Sequence, residues 1–321
     1  MSILGVESLV YGVDDLDTAA RFFTDFGLVA ETRAADGHVF RLPEGSSIVL
    51  RRADDPALPA PFLAGNGPRE VIWGVDSSAA LEAIRADLVR DRDVAVDAGG
   101  TLHTRDDQGI AIGFRVFRRQ MPEFAPSVEN NPADVKRWNR HRNWYDEARP
   151  KIIIHVVFGI PEIDKGIDFY TERLGFRTSD VMKGVGKFLR CDGRADHHNL
   201  FFIKTPRLIF SHVAFGVDNI DELMAGADDM QRRGWASEQG LGRHRISSYL
   251  FYYMKCPAGG QAEYSADGDY LTDDWQPRLW SNAYGHIHWL AQLPDAAARA
   301  PRDMTVIEGR IPSVAETAES R

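Results

Sequence analysis

The chain has 321 residues, 44% of them hydrophobic, and a formal net charge of −9 at pH 7, so it is long and apolar enough for two modules of ordinary domain size, each with its own core. A negative net charge built from residues of both signs argues against a nucleic-acid-binding protein, which needs a basic patch. No run approaches the ~20 apolar residues of a membrane-spanning helix, and an N-terminal export signal is lacking, so neither membrane association nor secretion is expected.

The predicted elements begin with a strand, a turn and a helix over residues 3–28, and the same succession returns over residues 152–176. In both places a period-2 apolar run precedes an amphipathic helix with apolar positions at about i, i+3, i+4 and i+7. Two further pairs of segments correspond: 69–83 with 211–225, and 106–116 with 256–266. The chain therefore carries one module twice.

Strands interleaved with helices in a duplicated unit predict an α+β fold whose mixed sheets curl around a cavity. We expect a first module over residues 1–117, a connector over 118–150 and a second module over 151–294. The connector is polar with scattered aromatic residues, and a helix ending before Pro150 is expected within it. This organisation predicts two similar modules joined by an irregular segment.

The sequence changes character after about residue 268, where Trp and Tyr become frequent. Such residues often pack over an opening or against a neighbouring subunit. We therefore expect this segment to form a lid or a contact between subunits. Residues 295–321 contain few apolar side chains and are expected to form a flexible tail.

The second module carries metal-ligating side chains at three strand positions, His155, His212 and Glu263. Superposing the repeats gives the pairs Ser8 with His155, Glu70 with His212 and Gly113 with Glu263. Two imidazoles and one carboxylate on one face hold Fe(II) and leave coordination positions open for a substrate and O2, and Mn(II) accepts the same ligands. The sequence therefore predicts a metal site in the second module and a metal-free first module.

Each predicted ligand has a simpler interpretation when it is taken alone. A histidine in an apolar strand, such as His155, is more often a satisfied core residue than a ligand, and an isolated Glu263 is an ordinary surface carboxylate. The conjunction of three ligands at equivalent places in a repeat favours the metal. Glu263 also follows a turn whose Gly259 has a counterpart, Gly109, in the first copy.

Two stretches of the second module carry spaced motifs. The stretch GRHRISSYLFYYMKCPAGGQAEY, residues 242–264, places His244 nine residues before Tyr253 and Tyr253 ten residues before Glu263. The stretch DGRADHHNLFFI, residues 192–203, places two histidines just ahead of an apolar strand. These motifs closely resemble those of the type I extradiol ring-cleavage dioxygenases, the two-module branch of the vicinal oxygen chelate superfamily.

The resemblance covers about residues 3–117 and 150–270, and it implies modules built from paired βαβββ repeats. It implies Fe(II)-dependent cleavage of a catechol-type ring beside the diol, insertion of both atoms of O2, and a homo-oligomer. The family carries an acid/base histidine just ahead of the apolar strand. His198 takes that role by alignment, and adjacent His197 takes it if the loop to His212 differs by one residue.

The chemistry of these side chains supports the same roles independently of the family resemblance. Histidine has an ordinary pKa near working pH, so His198 is able both to take a proton from the catechol and to return it. Tyr253 and His244 are able to hydrogen-bond the catechol oxygens, where donors stabilise developing charge. The neighbouring Tyr249 and Tyr252 are expected to pack in the core instead.

Two other classes of protein compete with this prediction. A redox-neutral metal-dependent isomerase or lyase of the same superfamily uses its metal as a Lewis acid, but it gives no reason for His198, His244 and Tyr253 to occur together. The hypothesis of a binding protein built on the same repeat predicts no metal ligands, which His155, His212 and Glu263 contradict.

Cys191 and Cys256 form neither a disulfide framework nor a zinc motif, so a cytoplasmic location is expected. The substituents on the ring and the direction of cleavage stay open.

Overall fold

The computed structural model describes residues 3–191, 193–281 and 285–291, so the predicted tail at 295–321 lies outside the described residues. The described chain forms two mixed sheets of eight and ten strands. Among the described residues, every helix is too short or too polar to cross a lipid bilayer. The predicted α+β fold class is confirmed.

The first sheet has the strand order β2-β3-β4-β1-β5-β8-β7-β6. Its strands are β1 (Ile3–Val13), β2 (Val29–Ala34), β3 (Gly37–Arg41), β4 (Ser47–Arg52), β5 (Gly67–Val75), β6 (Ala95–Val96), β7 (Leu102–Arg105) and β8 (Ala111–Val116). Helices α1 (Leu16–Asp25) and α2 (Ser78–Leu88) pack against it. Asp15 caps α1 by accepting the backbone N–H of Thr18 at 2.9 Å, which satisfies one of the free amides of the first turn.

The second sheet has the strand order β17-β10-β11-β12-β9-β13-β16-β15-β14-β18. Its strands are β9 (Ile152–Ile160), β10 (Arg177–Met182), β11 (Gly186–Arg190), β12 (Leu200–Lys204), β13 (Ile209–Gly216), β14 (Ser237–His244), β15 (Leu250–Lys255), β16 (Gln261–Ala266), β17 (Arg278–Trp280) and β18 (Ile287–Leu290). Helix α3 (Ile163–Asp168) continues as a π-helical turn, Phe169–Arg173, and α4 (Ile220–Arg232) packs on β15 and β16. The aromatic segment after residue 268 supplies the two outermost strands of this sheet.

The two sheets have the same strand pairing at the positions of the predicted ligands His155 and Glu263. The paired residues are Ser8–Ile72 and Ile72–Gly113 in the first sheet, and His155–Ala214 and Ala214–Glu263 in the second. Ser8 and Gly113 therefore occupy the places of His155 and Glu263. The repeat read from the sequence is a repeat of strand pairing as well.

The prediction of a helix in the connector is wrong. Residues 118–150 contain no helix, and their one local pairing is an isolated bridge between Asn131 and Asp134. The prolines of this segment interrupt helical hydrogen bonding. Side chains replace it, since the Oδ1 of Asn130 accepts the backbone N–H of Arg137 at 2.7 Å. The connector is held by such side-chain contacts along its length.

The two modules share one continuous apolar core, whereas separate cores were expected from the sequence. At their boundary the rings of Phe26 and Tyr264 stack with centroids 3.9 Å apart. The Tyr264 hydroxyl also donates a hydrogen bond to the backbone carbonyl of Phe26 at 3.0 Å. Because Tyr264 adjoins Glu263 on β16, the packing of the first module reaches the strand that carries a predicted ligand.

A buried carboxyl, Asp106, forms a second contact between the modules. It accepts the backbone N–H groups of Gln108 and Ile110 at 2.8 Å and 2.9 Å, and the hydroxyl of Tyr170 from the second module at 3.2 Å. Burial raises the pKa of Asp106 to about 7, although these hydrogen bonds favour the ionised form. The carboxyl is therefore more easily ionised in the unfolded chain than in the folded protein.

This difference predicts that stability falls with rising pH. The pKa of Asp106 is higher in the folded protein than in the unfolded chain, so its contribution is complete below about pH 4 and is lost as the pH rises through about 7. Asp106→Asn is neutral throughout, and its free energy of unfolding should lack this component. Urea unfolding of both proteins between pH 4 and pH 8 tests the difference. Asp134→Asn, at an exposed carboxyl of the connector, serves as the control, and it should keep the wild-type dependence; parallel curves for Asp106→Asn and wild type would contradict the prediction.

Candidate metal centre and active-site cavity

The three predicted ligands lie on neighbouring strands of the second sheet. His155 is on β9, His212 on β13 and Glu263 on β16, and β13 runs between the other two. His155 and Glu263 both pair with Ala214 of the middle strand, while His212 lies two residues away from it on the same face. The three side chains therefore point into one space.

The ligand atoms converge closely. The His155 and His212 Nε2 atoms are 3.2 Å apart, and the Glu263 Oε2 lies 3.4 Å from the first and 3.1 Å from the second. Cis ligands about 2.1 Å from one divalent ion are roughly 3.0 Å apart. The observed triangle fits one face of such a coordination sphere, and the opposite face is left for other ligands.

The chemistry of the donor set also fits a cation. Glu263 is 0% exposed, and its Oε2 has no hydrogen-bond partner, whereas its Oε1 accepts the hydroxyl of Ser265 at 2.7 Å. A buried carboxylate oxygen without a donor is costly unless a positive charge faces it. In the part of the chain that the structure describes, these three residues are the one group of His, Cys, Asp and Glu whose ligand atoms approach so closely.

Protonation states at the site suit metal binding. Burial opposes ionisation of Glu263, but its interactions with His155 and His212 outweigh burial and hold its pKa well below the usual range. Burial lowers the pKa of His155, and the carboxylate only partly offsets this. A neutral imidazole and an ionised carboxylate are the forms that coordinate divalent ions.

A cavity of about 190 Å³ opens in front of the three ligands. Its polar wall includes His155, His212, His198, His244 and Tyr253. Its apolar wall consists of Val157, Phe188, Phe201, Ile203 and Ile246. The structure thus brings the predicted metal ligands other than buried Glu263, and all three predicted catalytic residues, to the surface of one small chamber.

The two adjacent histidines of the predicted acid/base motif have different surroundings. The His198 ring stacks on the His155 ring with centroids 4.1 Å apart, and it lines the cavity. His197 lies behind it and bonds to Asp180. Burial, followed by the charges of the neighbouring imidazoles, holds the pKa of His198 well below its usual value. This placement favours His198 over His197 as the residue that meets a substrate.

His244 and Tyr253 form a hydrogen-bonded pair that also lines the cavity. The Nε2 of His244 lies 3.2 Å from the Tyr253 hydroxyl, and the His244 ring stacks on Phe251 at 4.1 Å. Burial lowers the pKa of His244 to about 3 and raises that of Tyr253 well above its usual value. Both side chains are therefore neutral near pH 7.

His286 is a residue of the cavity that the sequence did not reveal. It lines the chamber, and its ring centroid is 5.8 Å from that of His244. His286 immediately precedes β18, which pairs with β14 and so lies beside His244. It has no counterpart in the first copy, and only the pairing of two strands distant in sequence brings it to the site.

The first module carries other polar pairs at the corresponding places. The Glu70 Oε1 lies 2.8 Å from the Nδ1 of His103, which pairs with Gly113 as Tyr253 pairs with Glu263. The hydroxyl of Ser8 lies 2.7 Å from that of Ser47. These residues satisfy one another and do not converge on one point as the ligands of the second module do.

The first module instead supports the loop that leads to His198. Arg194 of this loop is 5% exposed and contacts Glu44 of the first module at 3.0 Å, where Glu44 is 0% exposed. Arg194 also forms an ion pair with Asp196. A buried cation between two carboxylates resists displacement because removing one partner leaves an uncompensated charge. The loop is therefore fixed against the first module at Arg194, four residues before His198.

Comparison with known proteins shows which proteins this chain resembles in sequence and in fold. The profile of the Glyoxalase/Bleomycin resistance protein/Dioxygenase superfamily matches residues 152–263, the segment that contains all three predicted ligands. The Mn(II)-bound glyoxalase from Novosphingobium aromaticivorans has the same fold, with a TM-score of 0.69 and 23% identity over 87% of this chain and 88% of that one.

Two relatives define the relationship more narrowly. Metapyrocatechase 2 of Cupriavidus necator is 28% identical over 284 residues, which cover 84% of this chain and 83% of that protein. The iron-dependent extradiol dioxygenase of Rhodococcus jostii (strain RHA1) is 30% identical over 152 residues, 40% of this chain and 50% of that protein. The resemblance to the extradiol dioxygenases and the enzyme class predicted from the sequence are confirmed.

Replacing Glu263 by Gln tests the candidate metal centre directly. The change removes the one negative charge and one of three ligands, so we expect the affinity for Fe(II) or Mn(II) to fall by more than the roughly 10- to 100-fold typical of outer partners. Metal content after dialysis and the metal-induced rise in Tm both measure it. Glu70→Gln, which changes a buried carboxylate of the first module at the place that corresponds to His212, is the matched control and should bind metal as the wild type does. Equal metal content in Glu263→Gln and wild type would exclude Glu263 as a ligand.

Proposed function

We propose that the protein is an Fe(II)-dependent extradiol dioxygenase that cleaves a catechol-type ring beside the diol and inserts both atoms of O2. The observation that carries the proposal is the convergence of the His155 and His212 Nε2 atoms and the Glu263 Oε2 within 3.1–3.4 Å of one another at the wall of a small cavity. The roles of these three residues as iron ligands are part of the proposal. Mn(II) is the alternative metal, because it accepts the same donors.

Iron bound at these ligands would bind the two oxygens of the diol and O2 side by side and pass electrons between them. Holding two reactants next to each other lowers a barrier by as much as roughly 7 to 11 kcal/mol in ideal intramolecular cases. The protein's own contribution is the arrangement of the remaining side chains around that reaction. His198, Tyr253 and His244 line the same cavity as the ligands.

His198 acts as acid and base in this proposal. It takes the proton of a diol hydroxyl, so the O–H bond breaks and an N–H bond forms on the imidazole. It returns the proton to an oxygen of the opened ring later in the reaction. Its low pKa in the buried site keeps it neutral, and therefore able to accept a proton, before the diol enters.

Tyr253 and His244 hold the diol in this proposal. Both are neutral and buried, and their 3.2 Å contact fixes each against the other. A neutral donor stabilises negative charge on a diol oxygen without competing with the metal for it. The stacking of His244 on Phe251 limits the movement of the imidazole.

The cavity wall narrows the class of catechol. Among the lining residues that the structure describes, none is Lys or Arg, and the surface beyond the ligands is largely aliphatic and aromatic. A charged substituent would be buried there without a partner, which is costly. We therefore propose that the substrate is a catechol with hydrogen or a small uncharged substituent on the ring.

The setting of the enzyme follows the resemblance. We propose a homo-oligomer in the cytoplasm, where Cys191 and Cys256 stay as the buried thiols, not joined by a disulfide, that they are in the structure. The principal alternative, a redox-neutral isomerase or lyase of the same superfamily, would use the same metal site without O2.

Oxygen uptake tests the proposed activity. The protein is purified without oxygen, loaded with Fe(II) and mixed with catechol in air, and the expected result is a yellow ring-opened product with one O2 consumed per diol. His155→Ala should lose this activity because one of three ligands is missing. His141→Ala, in the connector, should retain it. An iron-loaded protein that consumes no O2 with any of a panel of catechols would overturn the proposal and favour the redox-neutral alternative.

A matched pair of substrates tests the proposed substrate class. The methyl group of 4-methylcatechol and the carboxylate of 3,4-dihydroxybenzoate have similar size but different charge. Since the wall offers no described cation, we expect kcat/KM to be at least about 100-fold higher for the methyl compound. Measuring both by O2 uptake under the same conditions removes the common effect of the diol. Comparable values for the two compounds would contradict the uncharged class without affecting the proposed reaction.

A further inference from the structure

Behind His198 lies a buried hydrogen-bonded chain that the proposed mechanism does not yet use. His197 is 1% exposed and Asp180 is 2% exposed. The Nδ1 of His197 lies 3.1 Å from the Nδ1 of His198, and its Nε2 lies 3.2 Å from the Oδ2 of Asp180. The other oxygen, Asp180 Oδ1, accepts the backbone N–H of Arg278 at 2.7 Å. The chain runs from β17 to the wall of the cavity.

Two imidazoles that face each other through Nδ1 have two possible proton arrangements. One ring must donate and the other accept, and the pair by itself does not decide which. The difference matters at His198. With the proton on Nδ1 its remaining nitrogen, Nε2, is bare and able to accept a proton. With the reverse arrangement Nε2 carries a hydrogen and is unable to act as a base.

Asp180 removes this ambiguity because a carboxylate only accepts hydrogen bonds. Its contact at 3.2 Å places a proton on the Nε2 of His197. The Nδ1 of a neutral His197 is then bare, so the proton between the two rings must belong to His198. The same logic governs metal-bound histidines, whose tautomer is set by the partner of the second ring nitrogen.

We propose that Asp180 and His197 are positioning residues that hold His198 in the tautomer with a bare Nε2. The inference rests on the proposed function, in which that nitrogen receives the proton of the diol. When the proton arrives, the O–H bond of the diol breaks and the Nε2–H bond forms. The positive charge on His198 is then stabilised through its Nδ1–H, which still donates to His197, and the proton leaves again to the product oxygen.

Asp180→Asn is a sharp test because it should invert the chain. The backbone N–H of Arg278 needs an acceptor, so the amide oxygen of the new side chain takes the place of Oδ1. The amide nitrogen then faces the Nε2 of His197 and donates to it. His197 must consequently carry its proton on Nδ1, and His198 must carry its proton on Nε2.

The tautomers are read from 15N NMR of histidine-labelled full-length protein loaded with diamagnetic Zn(II). We expect the Nδ1–H form of His198 in the wild type and the Nε2–H form in Asp180→Asn. With Fe(II) loaded, kcat should fall about 10- to 100-fold in the variant, while KM for the diol changes little. A purely structural role for Asp180 would not move the tautomer.

Two further variants keep the test decisive. His197→Phe keeps a ring but removes the acceptor, and it should lower kcat to the level of Asp180→Asn without adding to that loss in the double variant, because both act through one chain. Asp218→Asn removes a carboxylate paired with Lys151 elsewhere in the module, and it should keep the wild-type tautomer and kcat.

The wild-type protein alone is able to overturn the inference, since a proton on the Nε2 of His198 would contradict it even if every variant failed to fold. An unchanged His198 tautomer in Asp180→Asn would contradict it as well. A protein without dioxygenase activity but with the expected inversion would contradict the proposed function and support the assignment of the chain. The two failures are therefore distinguishable.

Discussion

A fully buried carboxylate, Glu263, faces two imidazole nitrogens and has one oxygen without a hydrogen-bond donor. Such an arrangement is unfavourable in a folded protein unless a cation completes it. Three neighbouring strands hold it in place, because His155 and Glu263 pair with the same residue of β13 and His212 lies on the same face. This convergence sets the position of the cavity, and His198 and the hydrogen-bonded pair of His244 and Tyr253 lie around it.

Burial has different consequences for the groups around that point. It lowers the pKa of His155, His198 and His244, so these side chains stay neutral and are able to coordinate, accept or donate. It also opposes ionisation of Glu263, but two adjacent imidazoles outweigh the effect. One low-dielectric chamber therefore combines the ionised Glu263 with the neutral rings of His155, His198 and His244, and this combination suits the binding of a divalent ion.

The first module contributes to this chamber without lining it. Its register matches that of the second module, but hydrogen-bonded pairs such as Glu70 with His103 occupy the corresponding places. Its Glu44 holds Arg194 in the loop that leads to His198, and Phe26 packs against the residue next to Glu263. One copy of the repeat thus stabilises the strand and the loop that the other copy uses for chemistry.

The sequence by itself determined the repeat, the α+β class and the three candidate ligands, because alternation in strands and spacing within a repeat are local properties of the chain. Only the tertiary structure decided that His198 rather than His197 faces the cavity, that His286 joins it through the pairing of β14 with β18, and that Asp180 stands behind His197. The sequence predicts a helix in the connector and a separate core in each module, whereas the structure has an irregular connector and one shared core. These features depend on contacts between strands far apart in the chain, and no periodicity within one segment records which distant segment becomes its neighbour.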